Sequence, residues 1–211
     1  MNINNLPKEI SVFPLSDVVF FPKTVLPLNI FEKRYIQMVD DCMKDQRLFG
    51  MIQPNKKSVS QNVYEVGCLG KIVSFTETKD KRYIISLEGV SRFRIKEELV
   101  SEKLYRTFKV DYSDFQSDFN LANVKAKTYN KKDLLNKIKI LFKKKNYLVD
   151  WTELEKLNFH EFMNTMCMIC PFSAEEKQKL IEAIEVEDKL NTLEEIISFN
   201  LVGNLENNTI Q

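Results

Sequence analysis

The sequence is poor in the residues that carry chemistry: one histidine, His160, four cysteines, and six arginines against 25 lysines in 211 residues. A lone histidine cannot build a metal or acid/base centre, and no serine has an evident histidine partner, so hydrolytic chemistry has no basis here. Scarce arginine argues against a reader of phosphates or base edges, because bidentate recognition favours the guanidinium. Runs of about 18 or more apolar residues are absent, and the opening MNINNLPKEI has neither a basic n-region nor an apolar h-region. Neither a membrane span nor a secretory signal is therefore expected. Irregularly spaced cysteines in such a chain read as free thiols, and the cytoplasm is the compartment that suits them. The nearest approach to a phosphate loop, Gly67-Cys68-Leu69-Gly70-Lys71, has its glycines too close and no hydroxyl after the lysine. ATP hydrolysis is excluded on that count, and no cofactor is expected.

What is present is an ordinary globular composition, 44% hydrophobic and 29% charged, with a net charge of +1. Neither half is a polyelectrolyte, so the field of the molecule gives no strong pull toward nucleic acid or anionic lipid. The chain is organised around Phe13 to Tyr35, FPLSDVVFFPKTVLPLNIFEKRY. Two apolar runs, Val18 to Phe21 and Val25 to Leu28, are punctuated by Pro14, Pro22 and Pro27. Proline lacks an N–H and has a fixed φ, so these positions mark strand starts, edges or bulges, and the stretch reads as short strands with kinked connections.

From Ile10 to about Tyr112 the pattern is mostly that of strands. Tyr35, Ile36, Met38, Val39, Cys42 and Met43 interrupt it with a helical period inside Phe31 to Lys44. Leu48 to Ile52 resumes as a strand, Asn55 to Asn62 is a polar loop, and Thr78 to Lys81 is a charged hairpin tip between Val63–Glu77 and Arg82–Leu87. Gly67 and Gly89 suit backbone positions of positive φ or close approach. After Asp114 the period changes. Leu134, Leu135, Ile138, Leu141 and Phe142 give one amphipathic helix; Thr152 with Glu155 predicts a capping box for a second that runs to Pro171; Ser173 with Glu176 predicts another. The expected organisation is a β-rich part over residues 8–115 and a helical bundle over 119–203.

Several segments resemble the Lon N-terminal, substrate-binding domain family. Phe13-Pro14-Leu15, Val18-x-x-Phe21-Pro22 and Leu26-Pro27-Leu28-x-Ile30-Phe31-Glu32-x-Arg34-Tyr35 are similar to its opening pattern. Leu87-Glu88-Gly89-Val90-Ser91-Arg92-Phe93-Arg94-Ile95, Tyr105-Arg106 and Pro171-Phe172-Ser173-x-Glu175-Glu176-Lys177-Gln178 match later ones. The resemblance covers residues 10 to 200 and departs from the pattern at Asn29, Cys68, Gly70 and Cys170. It implies an α+β fold: a PUA-like pseudo-barrel with one helix, followed by a helical bundle. The ATPase and protease modules of the full protease are not in this sequence, so the resemblance implies a free-standing domain rather than proteolysis.

The other candidates have ordinary readings. Cys167-x-x-Cys170 falls at a helix C-terminus, where the dipole disfavours thiolate, and reads as core. Asp40-Asp41 and the lysine-rich run from Lys125 to Lys145 read as solvated faces, and Arg92 and Arg94 as the outer side of a strand whose inner side is Phe93 and Ile95. What is left is apolarity near proline-rich turns, which suits capture of extended polypeptide by strand addition. Phe20, Phe21, Leu26, Leu28, Ile30, Phe31, Arg34 and Tyr35 are the candidate polypeptide-binding residues. The partners implied are unfolded or specific client polypeptides, with a separate protease or chaperone as the adaptor alternative and RNA, through the PUA-like fold, as a third reading.

Overall fold

The computed structural model describes residues 3–55, 62–119 and 130–202. Residues 56–61 of the expected polar loop and 125–129 of the lysine-rich run lie outside the described residues. Six strands, β1 (Glu9–Pro14), β2 (Val25–Ile30), β3 (Leu48–Ile52), β4 (Val66–Glu77), β5 (Tyr83–Leu99) and β6 (Arg106–Asp111), form one sheet in the order β2-β5-β4-β3-β1-β6. β5 also pairs with β6, which closes all strands but β2 into a barrel. The seam is β5. Its 17 residues are long enough to pair with β2 from Tyr83 to Glu88 and with β6 from Arg94 to Leu99, while β4 runs along most of its length.

Closing a small barrel demands that its interior be filled, and Ile10, Val12, Leu69, Phe93, Phe108 and Val110 fill this one. Room for them is made by glycine. A Cβ on Gly50 would stand 2.8 Å from the Phe93 ring, one on Gly67 would collide with the Met51 carbonyl oxygen, and one on Gly89 with that of Phe21. No glycine among the described residues has a positive φ, so Gly67 and Gly89 serve close approach.

The helix α1 (Lys33–Met43) buries Tyr35, Met38, Val39 and Cys42 against the sheet. After the barrel come α2 (Lys131–Lys144), α3 (Trp151–Lys156), α4 (Phe159–Ile169), α5 (Ala174–Glu182) and α6 (Val186–Val202). The Ser173–Glu176 capping box is present, but that expected at Thr152 is not. Asp150 caps instead, its carboxylate accepting from the Thr152 N–H at 2.9 Å, and the helix stops at Lys156 because Asn158 opens α4 by accepting from the Glu161 N–H. The run Val18 to Phe21 is not a strand either. Asp17 and Lys23 turn the chain at positive φ, and Val19, Phe20 and Phe21 drop into the core as a loop.

A second apolar cluster joins the outer face of the barrel, this loop, α1 and the later helices into one continuous core. Within it Arg92 departs from the expected outward alternation: it is 1% exposed, the largest fully buried side chain among the described residues. Its guanidinium pairs with Asp118 at 2.9 Å, lies over the Phe115 ring at 4.5 Å, and donates to the carbonyls of Ile181, Ala183 and Ile184. Those carbonyls belong to the last turn of α5 and the residues after it, where a helix leaves acceptors unsatisfied and its dipole favours a cation. Strand alternation loses here because both sides of β5 are covered, one by the barrel interior and the other by the helices.

Two outcomes follow for urea unfolding at pH 7. Arg92→Ala strands a buried carboxylate and three carbonyls, and should cost about 3–5 kcal/mol; a loss below about 1 kcal/mol would mean that water replaces the guanidinium. Gly89→Ala forces backbone against backbone at Phe21 and should cost about 2–3 kcal/mol, despite adding only a methyl group.

Candidate functional site

β2 has one sheet neighbour, β5, so its other edge is unpaired within the sheet. Gly89 donates its N–H to the Thr24 carbonyl, which sets the alternation: Leu26, Leu28 and Ile30 exchange ladder bonds with β5, and Val25, Pro27 and Asn29 turn their backbone groups to the free edge. Pro27 thus sits where its missing N–H breaks no ladder bond. Val25, Pro27 and Asn29 are exposed. Phe31, just past the strand, is 66% exposed, and Val73 on β4 and Ile84 on β5 are 51% and 50% exposed. This end of the β2-β5-β4 sheet presents apolar side chains next to an open edge.

The eight sequence-derived candidates divide sharply here. Phe20, Phe21, Leu28, Ile30 and Tyr35 are core side chains, a correction to their reading as a surface. The cause is α1 and the helical half, which cover the face that short, edge-like strands would have left open. Leu26 is half-buried, and Phe31 and Arg34 are exposed. Arg34 lies over the Tyr35 ring at 4.5 Å and pairs with Glu32 at 2.8 Å. That surface pair contributes little to stability and leaves the guanidinium accessible. Sequence reasoning passes over Val25, Val73 and Ile84; only the pairing of β2, β5 and β4 brings them together.

Asp40 and Asp41 are not a free solvated pair. Each accepts a tyrosine hydroxyl at 2.8 Å, Asp40 from Tyr83 on β5 beside β2 and Asp41 from Tyr105 just before β6, which ties α1 to the barrel at two places. The bond to Asp40 pushes the Tyr83 hydroxyl up to about 12, and the bond from Tyr105 holds Asp41 below its usual range. A polar cleft of about 230 Å³ lies by Asp41, Cys42, Lys103 and Tyr105. Its one thiol is no nucleophile, since burial pushes Cys42 up and its S–H donates to the Leu48 carbonyl.

The remaining thiols are buried as well. Desolvation pushes Cys167 up to about 12 and raises Cys68 and Cys170 as well. His160 is half-buried with its pKa lowered, first by desolvation and then by Lys189. Lys189 is itself buried, donates to the Asn164 amide oxygen at 3.2 Å, and lies 5.6 Å from the centre of the Phe21 ring. Burial lowers it to about 8. Among the described residues no group of three or more His, Cys, Asp or Glu could hold a metal ion, and no helix is long and apolar enough to cross a membrane.

Comparison with known proteins gives a consistent result. The family described as the ATP-dependent protease La (LON) substrate-binding domain matches residues 9–198. The chain is 23% identical over 204 residues to a Lon protease of Anaeromyxobacter dehalogenans and 24% identical over 204 residues to Lon protease 2 of Myxococcus xanthus. In both cases the match takes in 94% of this chain and 24% of the relative, so the chain spans about a quarter of the length of these curated relatives. Among solved structures, a Lon N-terminal domain protein from Xanthomonas campestris superposes with a TM-score of 0.60 at 18% identity, covering 90% of this chain and 98% of that one. The N-terminal domain of a Mycobacterium avium complex Lon protease gives 0.63 at 14%, with the same coverages. These structures carry the fold: a pseudo-barrel with one helix, then helices.

The buried thiols fix the direction of the alkaline response. A thiol kept neutral by burial favours the fold below its unfolded pKa near 9, and that contribution is lost as pH rises from there toward its folded value, about 12 for Cys167. Each such thiol should remove about 1.4 kcal/mol per pH unit in this window. Lys189 acts oppositely: its folded value near 8 lies below its unfolded 10.5, so burying it becomes less costly as pH rises between the two. Urea titrations from pH 8 to 10.5 should show a net fall in stability above 9 that steepens in Lys189→Met; an unchanged slope in that variant would place the amine in water.

Proposed function

The chain belongs to the ATP-dependent protease La (LON) substrate-binding domain family, and on that premise we propose that it is a non-catalytic module which binds polypeptide in extended, unfolded or degron-bearing form at the free edge of β2. The observation that carries this reading is the combination found at one place: an unpaired strand edge with exposed Val25 and Phe31 beside it, and Ile84 and Val73 on the neighbouring strands. An incoming strand would take its backbone bonds from Val25 and Asn29 and the carbonyl of Pro27, while alternate apolar side chains settle against the exposed ones. Pro27 offers no N–H, so the edge recruits a client with fewer main-chain bonds than an unbroken strand would. Side-chain contact must then make up the difference, which favours clients with exposed apolar residues, the condition of an unfolded chain. Arg34, at the margin, adds a cationic contact for clients with acidic residues.

The two parts, 8–115 and 119–203, act in this reading as one body, because Arg92 and the shared apolar core join them. A rigid support matters to a binding edge, since order already present need not be created on binding. The whole-length activity of the relatives, and the protease or chaperone to which a captured client passes, belong to the same proposal. RNA is the less favoured partner: the net charge is +1, and the face described is apolar.

The test is binding of a reduced, carboxymethylated, permanently unfolded protein, measured by biolayer interferometry against wild type, Phe31→Asp, Ile84→Asp and the double variant. Both side chains are exposed, so the variants should keep the wild-type circular dichroism. Each single substitution should weaken binding by about 5- to 10-fold and the pair by more than either. Equal binding by all four proteins would remove the β2 edge as the site, and capture of one folded partner indifferent to both changes would move the function to an adaptor surface.

A further inference from the structure

α2 ends in a tight reversal. The Tyr147 N–H donates to the Phe142 carbonyl at 3.0 Å and Asn146 adopts a positive φ of 58°, so the chain folds back beside the last turn of its own helix. Between this reversal and the start of α3 lies an open groove of about 500 Å³. Phe142 and Trp151 meet edge to face at 5.3 Å to form its floor, and Phe142 and Tyr147 at 6.1 Å continue it into one wall. The apolar residues on the wall are unusually open to water: Leu148 is 100% and Tyr147 55% exposed.

The rim has one sign of charge. Two lysines, Lys139 and Lys143, line the groove, and no aspartate or glutamate does. Lys139 is held across the Trp151 ring at 5.5 Å by an ion pair to Glu155 at 2.6 Å. Lys143 is exposed, has no ion-pair partner among the described residues, and is followed in α2 by Lys144. Lysines on a helix ordinarily do no more than face water, but here they border exposed aromatic and aliphatic surface that solvation does not explain.

We infer that this groove is a second docking site, separate from the β2 edge and independent of the reading given to it, and that its occupant is a short linear peptide segment carrying an aliphatic or aromatic residue flanked by carboxylates. The volume accommodates one or two large side chains, and the uncompensated lysine at the rim supplies the complement for acidic flanks. A single-stranded nucleic acid would need an open ring face for base stacking. Trp151 does not offer one, since Lys139 covers one region of it and Phe142 packs edge-on against the ring. Aliphatic walls suit a peptide side chain better than a base.

Trp151 is the only tryptophan in the sequence, so its emission reports on this groove alone. The probe is the peptide Glu-Glu-Leu-Phe-Glu-Glu, blocked at both ends and titrated into the full chain, with Gln-Gln-Leu-Phe-Gln-Gln as the neutral comparison. A saturable change in emission is expected for the acidic peptide, at least 10-fold weaker for the neutral one and several-fold weaker at high salt. Lys143→Glu and Leu148→Asp, both at exposed positions, should each weaken it about 10-fold, whereas Phe31→Asp should leave it unchanged. Failure of this proposal is therefore separable from failure at β2. It is overturned by the absence of a saturable change up to millimolar peptide, by equal binding of the neutral peptide, or by indifference to both groove substitutions. Tighter binding of a thymidine oligonucleotide would also overturn it, as would self-association of the chain that Leu148→Asp abolishes, which would give the groove to a second copy.

Discussion

One guanidinium holds the two parts of this protein together. Arg92 leaves the barrel at the middle of β5 and ends among the carbonyls that terminate α5, with Asp118 completing its shell. A buried cation is costly unless every donor is used, and here the helix end provides acceptors that would otherwise be unsatisfied. The two deficits cancel each other. Other polar ties follow the same line: Gln178 donates to the Val66 carbonyl, Gln53 to that of Ala174, and Asn164 to that of Pro22. Apolar packing brings the helices onto the barrel without direction. The hydrogen bonds fix the position in which they come to rest.

The second constraint is closure. Five strands make the barrel, and β5 is long enough that its first third carries β2 beyond it. A barrel without edges has little to offer an extended chain; here β2 adds an open edge, and the end of β4 past Lys71, which pairs with β5 alone, is the other open side of the same projecting sheet. Proteins usually protect such an edge, and Pro27 with exposed, polar Asn29 are protections of this kind. They limit indiscriminate strand pairing while leaving apolar side chains accessible, a balance that suits the polypeptide binding proposed for this edge.

Much of this is legible from residues. The three prolines announce a non-regular opening, the helical period of α1 and α2 is plain, and Ser173 with Glu176 gives a cap that the fold contains. The errors share a cause. Local patterns, alternation at Arg92 and an apolar run between prolines at Val18 to Phe21, suppose a strand with one wet face, whereas β5 at Arg92 and the loop before β2 are covered on both sides by segments far away in sequence. Asp40 and Asp41 look solvated because the tyrosines that bind them lie 43 and 64 residues away. At Thr152 the error is local: a carboxylate two residues earlier competes for the same N–H and wins. The exposed set at the β2 edge is only partly legible, since Val73 and Ile84 join Phe31 through strand pairing, which no periodicity encodes.

The apolar opening stretch therefore acts one step away from where its composition first suggests. Phe20 and Phe21 are core side chains that support β2, the strand at which binding is proposed. Their loop is fixed by Lys23 and Thr24, which exchange backbone bonds with Gly89, by Asn164 on the Pro22 carbonyl, and by Lys189 over the Phe21 ring. β2 leaves this anchored loop directly, so its edge is already ordered, and in the proposed binding the ordering cost would fall on the incoming chain. A methyl group at Gly89 would press on the Phe21 carbonyl at that anchor, which makes the absence of a side chain there a requirement of the edge as much as of the fold.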